Sequence, residues 1–135
     1  MVFVYGTLRK DARGQRLSPL CQGWVFRDYG SVEGELYDFG AYPGAVQAES
    51  SEARILGEVY ELPDPATMLP PIDEYEGCGE RDPRPHEFER ALVEVDLEGG
   101  GVSVAWTYWY KPEPLGRRLE SGDYLQRTGD IRPGR

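Results

Sequence analysis

Hydrophobic and polar residues alternate over much of the chain with the two-residue period of β-strands. The alternation is clearest at residues 54–62, which predicts a half-buried strand. Residues 88–97 and 102–110 flank the turn sequence Glu98-Gly99-Gly100-Gly101, so they predict a β-hairpin. The second arm of this hairpin becomes aromatic on both faces, which is typical of a strand covered on both sides.

Three further segments extend the strand pattern. Residues 2–5 form a short apolar run followed by a glycine. Residues 24–39 are rich in β-branched and aromatic residues, and Gly30 and Gly34 are predicted to lie at turns or bulges. Residues 42–46 are predicted to form a turn that leads into another short strand.

One segment carries the signals of a helix start. Asp64 is a favourable N-cap, and Pro65 suits the first helical position, where its missing N–H costs nothing. Pro70 and Pro71 interrupt the interior of this helix, so we expect a broken or late-starting helix that ends near Gly77. The residues predicted to face the core are Met68, Leu69, Ile72 and Tyr75.

Many short strands and one helix predict an α+β fold, built as a small closed or half-closed β-barrel. The length of 135 residues predicts a single domain over residues 1–135. Residues 11–21 are predicted to be a loop with one helical turn. The polar segment from residue 111 onward is predicted to be a tail, flexible from about residue 125.

The amino-acid composition excludes several classes of function. The chain has 24 acidic and 15 basic residues, a net charge of −9 that repels phosphate backbones, so we expect no nucleic-acid partner. One His and two Cys are too few for a multi-histidine or Cys₄ metal site, and no metal ligands are assigned. The N-terminal residues do not resemble a signal peptide, and no apolar run is long enough for a membrane helix. We therefore expect a cytoplasmic protein with reduced thiols and no membrane partner.

The first candidate site is the segment Tyr5-Gly6-Thr7-Leu8-Arg9. A strand that ends in glycine followed by a hydroxyl residue can present successive backbone N–H groups as an anion-binding nest, because glycine permits the backbone angles that a nest requires. An ordinary strand-to-loop turn has the same sequence, and spacing alone favours that simpler interpretation.

The second candidate is the acidic cluster of Asp73, Glu74 and Glu76. On a helix, Asp73 and Glu76 share one side, and a glutamate just before Gly77 can turn into a pocket. Burial there would raise its pKa towards that of a general base. The alternative is a solvated acidic helix end, which charge patterning alone does not distinguish.

Cysteine chemistry is a weaker candidate. Cys78 and His86 are a conceivable nucleophile and base, but nothing in their spacing enforces contact. The predicted helix C-terminus beside Cys78 also disfavours a thiolate. A zinc site formed by these two residues and Cys21 would need a carboxylate as its fourth ligand.

Aromatic residues form the last group of interest, namely Tyr42, Phe88, Trp106, Tyr108 and Tyr110. Most of them are expected to fill the core of so small a barrel, with one or two tyrosine hydroxyls at the mouth of a pocket. Phosphate-binding loops, dinucleotide fingerprints and the HExxH and GxSxG motifs do not occur in the sequence, so no cofactor is expected.

Taken together, several motifs resemble the γ-glutamylcyclotransferase-like (AIG2-like) family in order and spacing. They are residues 2–9 (VFVYGTLR), 42–46 (YPGAV), 57–62 (GEVYEL), 68–69 (ML), 72–78 (IDEYEGC), 88–90 (FER) and 121–124 (SGDY). The most specific part is the pair formed by Tyr-Gly-Thr-Leu and the Asp-x-x-Glu-Gly element that starts at Asp73. The chain looks most similar to γ-glutamylamine cyclotransferase-type members.

The resemblance implies a mixed barrel of about six strands flanked by short helices, with one cavity. It implies that Glu76 is the general acid/base of an intramolecular aminolysis. In this reaction a γ-glutamyl amine or γ-glutamyl amino compound is cyclised to 5-oxoproline and releases an amine, with no metal or cofactor. The residues assigned to substrate binding are Tyr5, Gly6, Thr7, Leu8, Tyr42, Phe88 and Tyr110.

Two features depart from the family pattern, and two other functions stay open. Phe88 stands where relatives often carry tyrosine, which removes a hydroxyl, and Pro70-Pro71 alter the approach to Glu76. The first alternative is a non-catalytic module on the same fold that binds a small carboxylate or a protein terminus. The second is an amidase that uses Cys78 and His86. We expect a monomer or a homodimer that acts on a small-molecule γ-glutamyl substrate.

Overall fold

The structure is a computed structural model that describes residues 1–10, 19–48, 52–114 and 116–126. The elements in chain order are β1 (Val2–Val4), β2 (Val25–Glu33), β3 (Glu35–Asp38), β4 (Pro43–Val46), β5 (Arg54–Glu61), α1 (Pro65–Glu76), β6 (Phe88–Leu97), β7 (Val102–Tyr110), β8 (Arg117–Leu119) and a 3₁₀ turn (Tyr124–Gln126). This content confirms the α+β class. The helical turn predicted within residues 11–21 lies mostly outside the described residues, as does the chain end after residue 126.

Five strands close into a barrel. Around the ring, β1 pairs antiparallel with β5, β5 with β2, β2 with β6 and β6 with β7. A parallel contact between Val2 of β1 and Trp106 of β7 completes the circle. The sheet continues from β7 through β4 and β3 to β8. The predicted barrel is confirmed, with five strands in the ring instead of about six and three strands beyond it.

The strands with the clearest alternation form where the pattern predicts them. The hairpin of β6 and β7 has the predicted bounds, and β5 ends one residue before the predicted strand. Near the end of β7, Thr107, Tyr108 and Trp109 are all buried. Trp109 packs into the barrel core, whereas Tyr108 belongs to a second apolar cluster with Leu69 of α1. Both faces of this part of β7 are therefore covered.

The helix α1 is continuous, so the predicted break at Pro70 and Pro71 is wrong. The missing N–H groups of these prolines leave two backbone carbonyls of the preceding turn without helical partners. Those carbonyls belong to Ala66 and Thr67, which are exposed to solvent, and water can bind them. On the opposite side, Leu69 and Ile72 are buried and hold the helix against the barrel. The predicted end of the helix is confirmed.

Two other expectations are corrected by the strand pairings. The segment after residue 111 is not simply a tail, because β8 pairs with β3 and both Leu119 and Tyr124 are buried. Gly30 lies inside β2, and the irregularity in that strand falls between Phe26 and Asp28. Gly34, in contrast, separates β2 from β3, as predicted.

Candidate active site

A cavity of about 430 Å³ lies where the turn after β1, the end of α1, the turn before β4 and the start of β6 meet. Cavities of this size are typical of small-molecule sites. Seven of the eight residues predicted for the site line it, namely Tyr5, Gly6, Thr7, Leu8, Tyr42, Glu76 and Phe88. Segments that are far apart in the sequence thus form one concave surface.

Tyr110, the eighth predicted residue, does not line the cavity. Its ring packs behind the wall, with its centroid 4.6 Å from that of Phe39 and 5.4 Å from that of Phe88. Tyr110 lies two residues after Tyr108 on the same face of β7, and Tyr108 is the tyrosine of this strand that lines the cavity.

Three lining residues with polar side chains are not predicted from the sequence to belong to the site: Tyr75, Glu87 and Tyr108. Tyr75 was predicted to face the core, but 37% of its surface is exposed at the cavity mouth. Glu87 directly precedes β6, and apart from its charge nothing in the sequence indicates that it belongs to the site. Tyr108 shares one face of the predicted aromatic strand with Trp106 and Tyr110, so alternation alone does not show which of the three reaches the cavity.

The end of α1 places Glu76 at the cavity. Gly77 adopts a left-handed conformation with φ of 78°, and its N–H and that of Cys78 donate to the carbonyls of Glu74 (3.2 Å) and Asp73 (2.9 Å). This Schellman-type cap ends the helix directly after Glu76. Burial, reinforced by the charge of Asp73, raises the pKa of Glu76 from 4.5 to about 7. The carboxyl group therefore exchanges a proton near neutral pH.

Asp73 is held in place one helical turn before Glu76. The guanidinium of Arg90 donates to both of its carboxylate oxygens, at 2.8 and 3.3 Å, and the hydroxyl of Tyr108 donates to Oδ1 at 2.6 Å. Arg90 also lies over the ring of Trp106, 4.4 Å from its centroid. Burial and the hydrogen bond to Asp73 raise the pKa of Tyr108. The tyrosine therefore remains a neutral donor.

Tyr5 joins three strands at the inner wall of the cavity. Its hydroxyl donates to the carbonyl of Tyr108 at 2.6 Å and accepts from the N–H of Ala45 at 3.2 Å. Burial, together with the charge of Glu76, raises its pKa well above 10. These contacts fix the start of the predicted binding segment to β7 and β4.

The turn after β1 depends on a close approach at Gly6. A Cβ at this position would lie 3.0 Å from Cδ of Pro43 and closer still to its Cγ. Gly6 is not among the glycines with positive φ, so tight packing, and not unusual backbone angles, requires glycine here. The N–H of Arg9 closes the turn on the carbonyl of Gly6 at 3.0 Å. Across the cavity mouth, Oγ1 of Thr7 and the hydroxyl of Tyr75 are 2.7 Å apart.

Cys78 and His86 lie in a separate, more open groove on the other side of Asp73. Burial and the charges of Asp73 and Glu76 raise the pKa of the Cys78 thiol to about 11. Nε2 of His86 is 3.2 Å from the carbonyl oxygen of Asp82. A thiol that stays protonated at neutral pH is a poor nucleophile.

The described part of the chain contains neither a cluster of metal ligands nor a membrane-spanning helix. Among residues 1–10, 19–48, 52–114 and 116–126, no three His, Cys, Asp or Glu side chains are grouped to hold a metal ion. In that part of the chain, no helix combines the length and apolar character needed to cross a bilayer.

The fold and the site define a cavity-bearing β-barrel protein with a carboxyl group of raised pKa at the end of its helix. Residues 2–126 match the family model described as gamma-glutamyl cyclotransferase, AIG2-like. The chain belongs to this family.

One relative carries the same family name, and two solved structures share the fold. The chain is 32% identical over 127 residues to the gamma-glutamylcyclotransferase family protein YtfP of Escherichia coli (strain K12), an alignment that covers 93% of this chain and 96% of the relative. It resembles a crystal structure of an uncharacterized protein from Pyrococcus horikoshii with a TM-score of 0.62 and 31% identity, covering 91% of this chain and 87% of the other. A solved gamma-glutamyl cyclotransferase, 14% identical, shares the fold with a TM-score of 0.58, covering 82% of this chain and 65% of that one.

Proposed function

We propose that this protein is a γ-glutamylcyclotransferase in which Glu76 is the general acid/base. The substrate is a γ-glutamyl amine or γ-glutamyl amino compound, and the products are 5-oxoproline and the free amine. The observation that carries the proposal is the position of Glu76, whose pKa is about 7, in the same cavity as the segment Tyr5–Leu8. A general base is most effective when its pKa lies near the working pH.

The reaction is an intramolecular aminolysis. Glu76 takes a proton from the substrate α-ammonium group, and the free α-amine attacks the γ-carbonyl carbon. A new C–N bond closes the five-membered ring while the bond to the leaving amine breaks. The proton on Glu76 then passes to the leaving nitrogen, so that the amine departs neutral, and Glu76 accepts the second proton that the ring nitrogen loses as the lactam forms. This second proton passes to the solvent or to the released amine, so the reaction consumes neither a proton nor an electron.

The other cavity residues serve binding and orientation in this proposal. Backbone N–H groups of Gly6, Thr7 and Leu8 bind the substrate α-carboxylate or stabilise the developing oxyanion. The rings of Tyr42 and Phe88 form an apolar wall against which the γ-glutamyl chain folds. Holding the chain in its ring-closing conformation supplies much of the rate acceleration, because the two reacting groups belong to one molecule.

The test is formation of 5-oxoproline from a panel of γ-glutamyl amines, γ-glutamyl amino acids and glutathione. We expect Glu76→Gln to lower kcat at least about 100-fold, the range typical of a lost general base. Glu74→Gln is the matched control, because Glu74 is an exposed neighbour on the same helix and does not line the cavity. Circular dichroism confirms that both variants are folded.

Three outcomes would contradict the proposal. If Glu76→Gln turned over substrate as fast as the parent, Glu76 would not be the general acid/base. Saturable binding of γ-glutamyl compounds without product would instead favour the non-catalytic binding module. Loss of activity in Cys78→Ala would favour the amidase, whereas we expect this variant to remain active, because the raised thiol pKa disfavours a nucleophile.

A further inference from the structure

We infer that Arg9 is the positioning residue of the substrate loop, defined here as Tyr5–Leu8. Its buried guanidinium, held by two carboxylates from other parts of the fold, fixes the C-terminal end of this loop relative to Glu76. The inference rests on the proposed function, because it assigns to Arg9 a part in that same site. Arg9 itself does not line the cavity, so its effect passes through the loop.

The ion pairs of Arg9 are buried and come from separate segments. Nε donates to Oε2 of Glu58 at 3.1 Å, and Nη1 donates to Oδ1 of Asp123 at 2.7 Å. The exposed fractions of the three side chains are 7% for Arg9, 1% for Glu58 and 12% for Asp123. Glu58 belongs to β5, whereas Asp123 lies between β8 and the 3₁₀ turn. One side chain therefore connects the loop to the barrel and to the C-terminal segment.

Each carboxylate is fixed by further donors. Oε1 of Glu58 accepts the N–H of Lys10 and the hydroxyl of Tyr60, both at 2.8 Å. Oδ1 of Asp123 also accepts the N–H of Leu125 at 3.0 Å. Glu58 thus holds the backbone directly after the loop as well as the side chain of Arg9. Charge-assisted hydrogen bonds of this kind are short and directional, so they define a position more narrowly than apolar contacts do.

The two ends of the loop are anchored independently. The first end is fixed by the hydroxyl of Tyr5 and by the packing of Gly6 on Pro43. The Arg9 cluster fixes the second end. A change at Arg9 should therefore tilt Thr7 and Leu8 without displacing Tyr5, and a displacement of about 1 Å at a binding segment is enough to change catalysis by orders of magnitude.

Buried ion pairs alone are weak evidence for a positioning role, because they also affect stability when one partner is removed. The test therefore compares Arg9→Lys and Asp123→Asn with Val95→Ala, a core variant of β6 chosen as the matched control. Val95 is fully buried in the apolar cluster that contains Tyr5, at the end of the loop that Arg9 does not hold, but not Leu8, and it does not line the cavity. All three variants are expected to lose thermal stability.

The deciding measurement is KM at a temperature at which every variant is folded. We expect Arg9→Lys and Asp123→Asn to raise KM about 10-fold. Both should leave the acid limb of the pH profile in place, because neither variant alters Asp73, whose charge acts on Glu76, or the helix end that buries Glu76. Lysine keeps the charge but lacks the planar fork that reaches two carboxylates, so it should not restore the loop. Val95→Ala should lose stability with an unchanged KM.

A second probe separates this inference from the function on which it rests. Binding of 5-oxoproline is measured by calorimetry for the parent and for each variant, with about 10-fold weaker binding expected for Arg9→Lys. If the parent turns over substrate and Arg9→Lys loses only stability, with KM and 5-oxoproline binding unchanged, the inference alone is wrong. If the parent neither binds 5-oxoproline nor turns over any substrate, the proposed function fails and the inference fails with it.

Discussion

At the scale of single residues, the site depends on the surroundings of one acid among the 24 in the chain. Glu76 ends a helix beside a cavity, where burial removes water from its carboxyl group and Asp73 adds a negative charge one turn away. Both effects favour the protonated form. The result is a carboxyl group with a pKa of about 7 and room for a ligand next to it.

The charge of Asp73 provides a test of this environment. We expect the acid limb of the kcat/KM profile to have an apparent pKa near 7 and to move to lower pH in Asp73→Asn, by up to about one unit. Asparagine keeps an oxygen that can accept from Tyr108, so the wall of the cavity is preserved. Arg90→Gln should move the limb to higher pH, because it leaves the carboxylate of Asp73 uncompensated. A shift of both variants in the same direction would contradict this account.

The raised pKa of Glu76 also predicts a cost in stability. Between pH 4.5 and about 7 the native protein holds a proton that the unfolded chain releases, so stability contributed by this group falls as the pH rises through that window. Allowing for its partial exposure, we expect Glu76→Gln to increase the free energy of unfolding by about 1–2 kcal/mol at pH 8. At pH 4 the gain should vanish, since Glu76 is then neutral in both states. Urea unfolding of the variant and the parent at the two pH values measures this increase in the free energy of unfolding. An equal increase at both pH values would be inconsistent with the raised pKa.

At the scale of elements, the site is made by the ends of regular structure. The turn after β1 brings backbone groups to the cavity, and the capped end of α1 brings Glu76 to the facing side. A hydrogen bond between the hydroxyl groups of Thr7 and Tyr75 joins these two elements at the mouth of the cavity. The barrel strands serve as the frame, because their regular hydrogen bonds fix where each element begins and ends.

The packing of the turn against β4 predicts a specific rescue. Gly6→Ala should lower stability by about 1–3 kcal/mol and raise KM, because the added methyl group overlaps the ring of Pro43. The Cβ of Pro43 itself would lie 3.9 Å from that methyl group, an ordinary contact. The double variant Gly6→Ala/Pro43→Ala should therefore recover part of both losses. Thermal denaturation and steady-state kinetics on the two single variants and the double variant measure the recovery, and strictly additive losses would argue against a steric cause.

At the scale of the whole molecule, charge should influence which substrates bind. The net charge is −9, and among the described residues the cavity is lined by two carboxylates, Glu76 and Glu87, and by no Lys, Arg or His. Glu87 is exposed and lies near Tyr42 at the mouth. A field of one sign at a cavity entrance attracts ligands of the opposite charge and repels those of the same charge.

This field predicts a preference among leaving groups of equal size. A γ-glutamyl amide whose leaving group carries an ammonium should have about 10-fold higher kcat/KM than one whose leaving group carries a carboxylate, and added salt should reduce the ratio. Glu87→Gln should reduce it as well. Glu89→Gln is the control, because Glu89 carries the same charge but lines the other groove. A ratio that is insensitive to salt and to Glu87 would contradict the prediction.

Much of the fold could be predicted because alternation is a local property. The hairpin and β5 follow from residues that are close in the sequence, and the end of α1 follows from Gly77. The continuity of α1 could not be predicted, since the packing of Leu69 and Ile72 outweighs the two prolines. The segment after residue 111 also depends on distant partners, because β8 is defined by pairing with β3.

The site was predicted to a similar extent. The family motifs indicated Glu76 and residues 5–8, all of which line the cavity, but their roles remain predictions. Tyr110 is predicted to bind substrate, but it packs behind the wall, and Tyr108 lines the cavity instead. The two tyrosines share one face of β7, so alternation does not distinguish them, and the rings of Phe39 and Phe88 that pack on Tyr110 come from distant segments.

The sequence by itself determined the strand pattern, the end of the helix and the motifs that mark the family, because each depends on neighbouring residues. Tertiary structure alone decided that the turn at Gly6 and the carboxyl group of Glu76 share a cavity, and that Arg9 is buried between Glu58 and Asp123. The physical reason is that desolvation and ion pairing act through space. A pKa near 7 appears only when a chain of this length closes its barrel and places distant segments side by side.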